Sequence, residues 1–153
     1  SYSVTGVQTC ALPIYLTKEL PTRVYAECIS SDNHDVFNQD NVIITIKFSG
    51  GSVGVLTYLC NGDNSFPKEY CEVFCEGKVG VMNNFQNVVL VKNGKTTVQK
   101  SDGKKGHKEE VDAFLNAIKK GEQMPIGYDE INYITLATFA AKESCEKGIA
   151  INL

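Results

Sequence analysis

No apolar run in this chain of 153 residues approaches the roughly 20 residues that a membrane-crossing helix needs. There is no Gly-x-Gly-x-x-Gly between a strand and a helix, no phosphate loop and no Gly-x-Ser-x-Gly. The chain therefore shows no dinucleotide cradle, nucleotide-phosphate loop or hydrolase nucleophile elbow. Histidine occurs only at His34 and His107, so a His-Glu-x-x-His metal site is excluded. Cys-x-x-Cys is missing as well. Basic charge is not in excess: 15 Lys and Arg stand against 18 Asp and Glu, a net charge of −3. That gives no electrostatic reason for a nucleic-acid or anionic-membrane partner, and neither is expected. Internal repeats and low-complexity segments are absent too.

What is present suits one domain, with 42% apolar residues and enough length to bury a core. Six cysteines occur, at positions 10, 28, 60, 71, 75 and 145, mostly among apolar neighbours. Free cysteine in such places behaves as a small hydrophobe. Buried reduced thiols are the expectation, which fits a reducing cytoplasm.

Alternation and turn chemistry predict strands at 22–29, 42–48, 53–60, 70–76, 78–82, 87–92 and 95–100. Gly50-Gly51, Gly77 and Asn93-Gly94 mark the hairpin turns. Both faces of 53–60 are apolar, which suggests cover on both sides, by helices and by a partner subunit. Residues 107–120 place Val111, Phe114, Leu115 and Ile118 on one helical stripe, with Gly121 as the C-terminal cap. Residues 129–147 form a second helix, with Ile131, Ile134, Thr138, Ala141 and Cys145 on one side and Gly148 as its stop. A short strand at 149–153 completes the order. Strands followed by helices predict an α+β class, a largely antiparallel open sheet with two C-terminal helices on one face.

The densest cluster of functional groups is the loop 61–69, Asn-Gly-Asp-Asn-Ser-Phe-Pro-Lys-Glu, between two strands. Loops held by a rigid scaffold carry binding groups more often than strands do. Asn61, Asp63 and Ser65 can bond hydroxyl groups, and they are equally ordinary turn formers. Phe66 with Pro67 can wall a pocket or plug a core. Lys68 can pair with an anionic group or stay solvated. His107, at a helix start, can face a ligand or simply sit near the cap. No base role is assigned to it, because nothing in the sequence fixes a partner beside it. His34 reads as a surface-loop histidine.

Residues 40–54, Asp-Asn-Val-Ile-Ile-Thr-Ile-Lys-Phe-Ser-Gly-Gly-Ser-Val-Gly, resemble the strand–turn–strand of the C-terminal domain of Gfo/Idh/MocA oxidoreductases. This is the glucose–fructose oxidoreductase and inositol dehydrogenase family. Residues 61–69, then Glu72-Val-Phe and Gly77, resemble the continuation in one bacterial branch. Residues 105–114, Lys-Gly-His-Lys-Glu-Glu-Val-Asp-Ala-Phe, are similar to that branch's next helix. The pieces follow in register over about residues 15–153. The resemblance implies an NAD(P)-dependent oxidoreductase acting on CH-OH groups of a sugar, sugar derivative or cyclitol. NAD or NADP would be held by a Rossmann domain outside this chain. The α+β domain would supply an open sheet for homo-oligomerisation and a wall of the polyol pocket.

The family's catalytic lysine lies in its Rossmann domain. Its Asp-x-x-x-His pair lies just before the segment that Tyr15-Leu16 resembles, and the chain has neither. No catalytic, cofactor-binding or metal residue is therefore expected here, and the chain alone is expected to be inactive. The family's substrate loop falls by position on 61–68. Residues 4–14, Val-Thr-Gly-Val-Gln-Thr-Cys-Ala-Leu-Pro-Ile, have no helical or strand period and closely resemble the translation of a sequencing-library adapter. The domain reading is accordingly a non-native tail at 1–14 and a substrate-binding and oligomerisation domain at 15–153, a C-terminal fragment of a longer protein. The alternative is a stand-alone small-molecule-binding or protein-interaction module without catalysis.

Overall fold

Gly50 and Gly51 turn the chain back on itself between β2 (Asn41–Phe48) and β3 (Val53–Leu59). Gly51 has φ +101°, outside the range most L-residues adopt, and its N–H donates to the Phe48 carbonyl at 3.1 Å. The structure, a computed structural model, describes residues 5–29 and 41–153. The loop at 30–40, with His34, lies outside the described residues. β1 (Pro21–Cys28) pairs antiparallel with β2, and β8 (Ile151–Asn152) pairs antiparallel with β1. The first sheet therefore has the order β3-β2-β1-β8. A second antiparallel sheet is a meander in sequence order: β4 (Tyr70–Cys75), β5 (Lys78–Asn83), β6 (Asn87–Lys92) and β7 (Lys95–Lys100).

The chain forms two compact units. One holds residues 1–61 and 126–153, and the other residues 62–125. The first unit contains the core. Alternation on β1 and β2 sends Val24, Ala26, Ile44, Ile46 and Phe48 to one face, and all five are buried. α3 (Tyr128–Lys147) lies against β1 on that face. α1 (Thr5–Thr17) packs against α3 and reaches β3, bringing Cys10 and Ile14 into the same cluster. A Cβ on Gly54 would stand 3.0 Å from the Pro13 Cβ, so glycine is what lets α1 come this close. The Ser144 hydroxyl, fully buried, accepts from the Ala26 N–H at 2.9 Å and donates to the Ile149 carbonyl at 2.6 Å, pinning the last turn of α3 to β1.

Several expectations change. Residues 4–14 show no helical or strand period in the sequence, yet residues 5–17 are helical. Residues 10–16, Cys-Ala-Leu-Pro-Ile-Tyr-Leu, hold no charged or amide side chain, so they leave no stripe to read. The buried side of α3 is Ile134, Ala137, Ala140, Ala141 and Ser144, whereas Ile131 is half exposed. Close packing on a sheet selects small side chains, which an apolar scale underrates. The buried-thiol expectation fails for most of the cysteines: Cys28 and Cys145 form a disulfide with Cα atoms 5.8 Å apart. Of the others, Cys10 alone is buried, and Cys60 and Cys75 are exposed. The pairing removes the thiol-based ground for a cytoplasmic location.

The second unit contains α2 (His107–Lys120), which ends on the predicted Gly121 cap in the left-handed region. Its stripe was expected to be core, but Val111, Phe114, Leu115 and Ile118 all stay about half exposed, and Ala117 is its buried residue. The four-stranded meander likewise has no fully buried side chain on either face. The α+β class holds. The expected pair of helices on one sheet face resolves into α3 on the first sheet and α2 in the other unit.

Candidate functional site

The loop 61–69 starts from an anchored root. Asn41, buried at the start of β2, accepts the Cys60 N–H on its Oδ1 at 2.8 Å, and its own carbonyl accepts the Ile29 N–H at 2.9 Å. Asn61 follows, exposed, as the last residue of the first unit. The chain then enters the second unit. The Asp63 carboxylate accepts from the Ser65 N–H (2.8 Å) and the Ser65 hydroxyl (2.7 Å), and its carbonyl accepts the Phe66 N–H at 3.1 Å. These bonds hold the Asp63 carboxyl below the ordinary carboxylate range, first through the Ser65 amide and then its hydroxyl. Asp63 and Ser65 therefore build the turn, the more ordinary of the two roles open to them. Phe66 is 76% exposed, so it plugs no core within the described residues. Lys68 is exposed and makes no ion pair with any described residue.

The exit of the loop meets the approach to α2. Lys105 Nζ lies 3.3 Å from Glu69 Oε1 and 5.6 Å from the centre of the Phe85 ring. Phe85 and Asn84 both have positive φ, 56° and 47°, in the turn between β5 and β6. The Glu69 carbonyl accepts the Asn84 N–H at 2.7 Å. So the end of the loop, this turn and the Ser101–Gly106 connection meet at one end of the meander. His107 stands exposed two residues beyond Lys105. Glu69 and Lys105 were not among the sequence candidates. Their opposite charges 36 positions apart carried no local signal.

Two hollows lie elsewhere. One, of about 440 Å³, is lined by Leu90, Lys92, Asn93, Lys95 and Thr97 at the β6–β7 hairpin, with two lysines and no carboxylate or histidine. The other, of about 130 Å³, lies between the end of α1 and the start of α3. Its cation is occupied: Lys18 Nζ is 3.8 Å from Glu130 and 3.7 Å over the Tyr15 ring. Its Glu19 turns to the β2–β3 hairpin, accepting from the Gly50 N–H at 2.8 Å and the Ser52 hydroxyl at 2.7 Å. No group of three metal-ligating side chains occurs among the described residues. Every described strand pair is antiparallel, so these residues form no parallel βαβ unit of the kind that cradles a dinucleotide.

With this geometry in view, comparison with solved structures is decisive for the fold. An oxidoreductase from Agrobacterium radiobacter, in complex with NAD+, L-tartaric acid and magnesium, superposes with a TM-score of 0.79 at 10% identity, over 96% of this chain and 47% of that one. The fold is that of about half an oxidoreductase chain. An aldose-aldose oxidoreductase from Caulobacter crescentus, complexed with glycerol, gives 0.77 at 17% identity, over 97% and 46%. A UDP-N-acetylglucosamine 3-dehydrogenase from Acidithiobacillus ferrooxidans gives 0.76 at 14% identity, over 92% and 45%. The chain thus spans about half the length of the oxidoreductases it matches. No family model and no curated protein matches the chain.

Proposed function

We propose that the chain is the C-terminal substrate-binding and oligomerisation domain of an NAD(P)-dependent dehydrogenase acting on a sugar, sugar derivative or cyclitol. The observation that carries this reading is the fold match over nearly the whole chain to about half of sugar-handling oxidoreductases. In the parent protein, NAD or NADP and the catalytic base belong to the other half. Asn61 and Lys68 are the loop groups free to meet a polyol or an anionic substituent. Asp63 and Ser65 hold the turn that presents them, and Phe66 offers an apolar wall. His107 lines the approach from α2.

The outer face of the first sheet supports the oligomeric part of the reading. Ile43, Val53, Val55 and Leu59 share that face, opposite the one α3 covers, and all are about half exposed or more. Exposed apolar side chains in this number on one sheet face, with Thr45, Lys47 and Thr57 among them, favour an interaction site, here for a second copy of the chain. A cytoplasmic location belongs to the same reading.

The chain alone, supplied with NAD+ or NADP+ and a panel of sugars, sugar acids and inositols, is expected to reduce no nicotinamide. Turnover by the chain alone would sink the proposal. In the full-length parent, Lys68→Ala is expected to raise KM about 10-fold or more for an anionic substrate, the equivalent of one lost charge-assisted hydrogen bond. Unchanged kinetics would reject Lys68. Sedimentation of the chain should show association that Val55→Lys abolishes, and a concentration-independent monomer would remove the oligomeric role.

A further inference from the structure

The Cys28–Cys145 bond joins the last residue of β1 to the last turns of α3 across a sequence separation of 117. Both residues are only partly buried, so a small thiol can reach them. Cys28 stands opposite Val42, and Val42 stands opposite Tyr58. One residue further along the same strands, Asn41 binds the Ile29 amide through its carbonyl and the Cys60 amide through its side chain. The disulfide therefore restrains the strand end whose next bonds set the root of the 61–69 loop. One residue before Cys145, Ser144 already ties α3 to Ala26 and Ile149 without any sulfur. Ala26, two residues before the end of β1, thus has its own attachment to α3, and the covalent link adds its restraint at the strand end beyond it.

We propose that Cys28–Cys145 is a reversible clasp: oxidised, it holds the root of the 61–69 loop, and reduced, it lets that root open. Its effect on ligand binding rests on the assignment of this loop to the substrate. The chemistry is thiol–disulfide exchange with a dithiol reductant. One thiolate of the reductant attacks a sulfur and breaks the S–S bond, forming a mixed disulfide. The reductant's second thiol then displaces the protein sulfur. Cys28 and Cys145 gain two electrons and two protons between them, and the reductant leaves as its own disulfide.

The test is hydrogen exchange on the full chain, oxidised and after dithiothreitol, beside Cys28→Ser/Cys145→Ser. Amides at 28–29 and 58–61 are expected to exchange about 10-fold faster or more when the link is open, while Ala26 and residues 44–46 keep their protection. Unchanged exchange at 58–61 would overturn the clasp. A uniform rise throughout the first unit would also overturn it, since the bond would then be a global staple. So would labelling of all six cysteines in the non-reduced, denatured chain. Exchange is read without turnover, so this result stands apart from the dehydrogenase assay.

Discussion

Phe48 and Phe114 carry the same side chain, and both lie on apolar faces in the sequence, but the structure gives them different weights. Phe48 is 1% exposed, on the inner face of β2 within the main cluster. Phe114 is 49% exposed on α2. Truncating a fully buried phenylalanine costs about 3–5 kcal/mol, the transfer loss plus a cavity. A half-exposed ring leaves no closed cavity and loses about half of a transfer free energy of roughly 1.5–3 kcal/mol, so about 1 kcal/mol. With a urea m-value of about 2 kcal/mol per M, Phe48→Ala should lower the midpoint by about 2 M and Phe114→Ala by about 0.5 M. Far-ultraviolet circular dichroism at low protein concentration measures both. Equal shifts would refute the placing of the core in the first unit. A Phe114→Ala shift that grows with protein concentration would instead mean that the stripe is buried between copies.

Glu19 gives a pH prediction. The Ser52 hydroxyl, then the Gly50 and Ser52 amides and Lys47, hold its carboxyl below the ordinary glutamate value of 4.5. A carboxylate depressed in the folded state contributes stability above the unfolded value and loses it as pH falls through the folded one. Glu19→Gln should therefore lower stability at neutral pH and flatten the acid limb of the stability–pH curve below about pH 4.5; an unchanged acid limb would show that the Glu19 bonds to the β2–β3 hairpin are unimportant. Gly54→Val should cost about 1–3 kcal/mol by pushing Pro13 away. The same substitution in a chain lacking residues 1–17 should cost much less, and equal costs would disprove the α1–β3 contact.

Locally written signals translate directly. Asn93 and Gly94 have φ of 51° and 71°, the two positive values a primed turn requires, and β6 and β7 begin and end where alternation placed them. Gly121 and Gly148 both cap helices in the left-handed region. Contacts between distant segments were hidden. α1 is held by α3 and β3, not by a stripe of its own. Ala137 and Ala140 are buried because the helix must approach β1 closely, which depends on its neighbour. In the loop, Asp63 and Ser65 were legible as turn formers. The pairing of Glu69 with Lys105 exists because the meander brings both to one end, and nothing in either neighbourhood announces it.

The second unit is a continuous stretch, 62–125, set inside a discontinuous one. On a ribosome that order has a temporal meaning. The meander consists of hairpins between neighbouring strands, so its contacts are local and close early. β1 and β2, made before the meander, must wait for α3 and β8, which follow it and complete the cover of Val24, Ala26, Ile44 and Ile46. Until then that apolar sheet face lacks its main cover, and the meander is complete before the last segment of the first unit is made. The usual amino-to-carboxyl order of domain folding is inverted here. A chain cut between 125 and 128 would release a finished insert on an unfinished host.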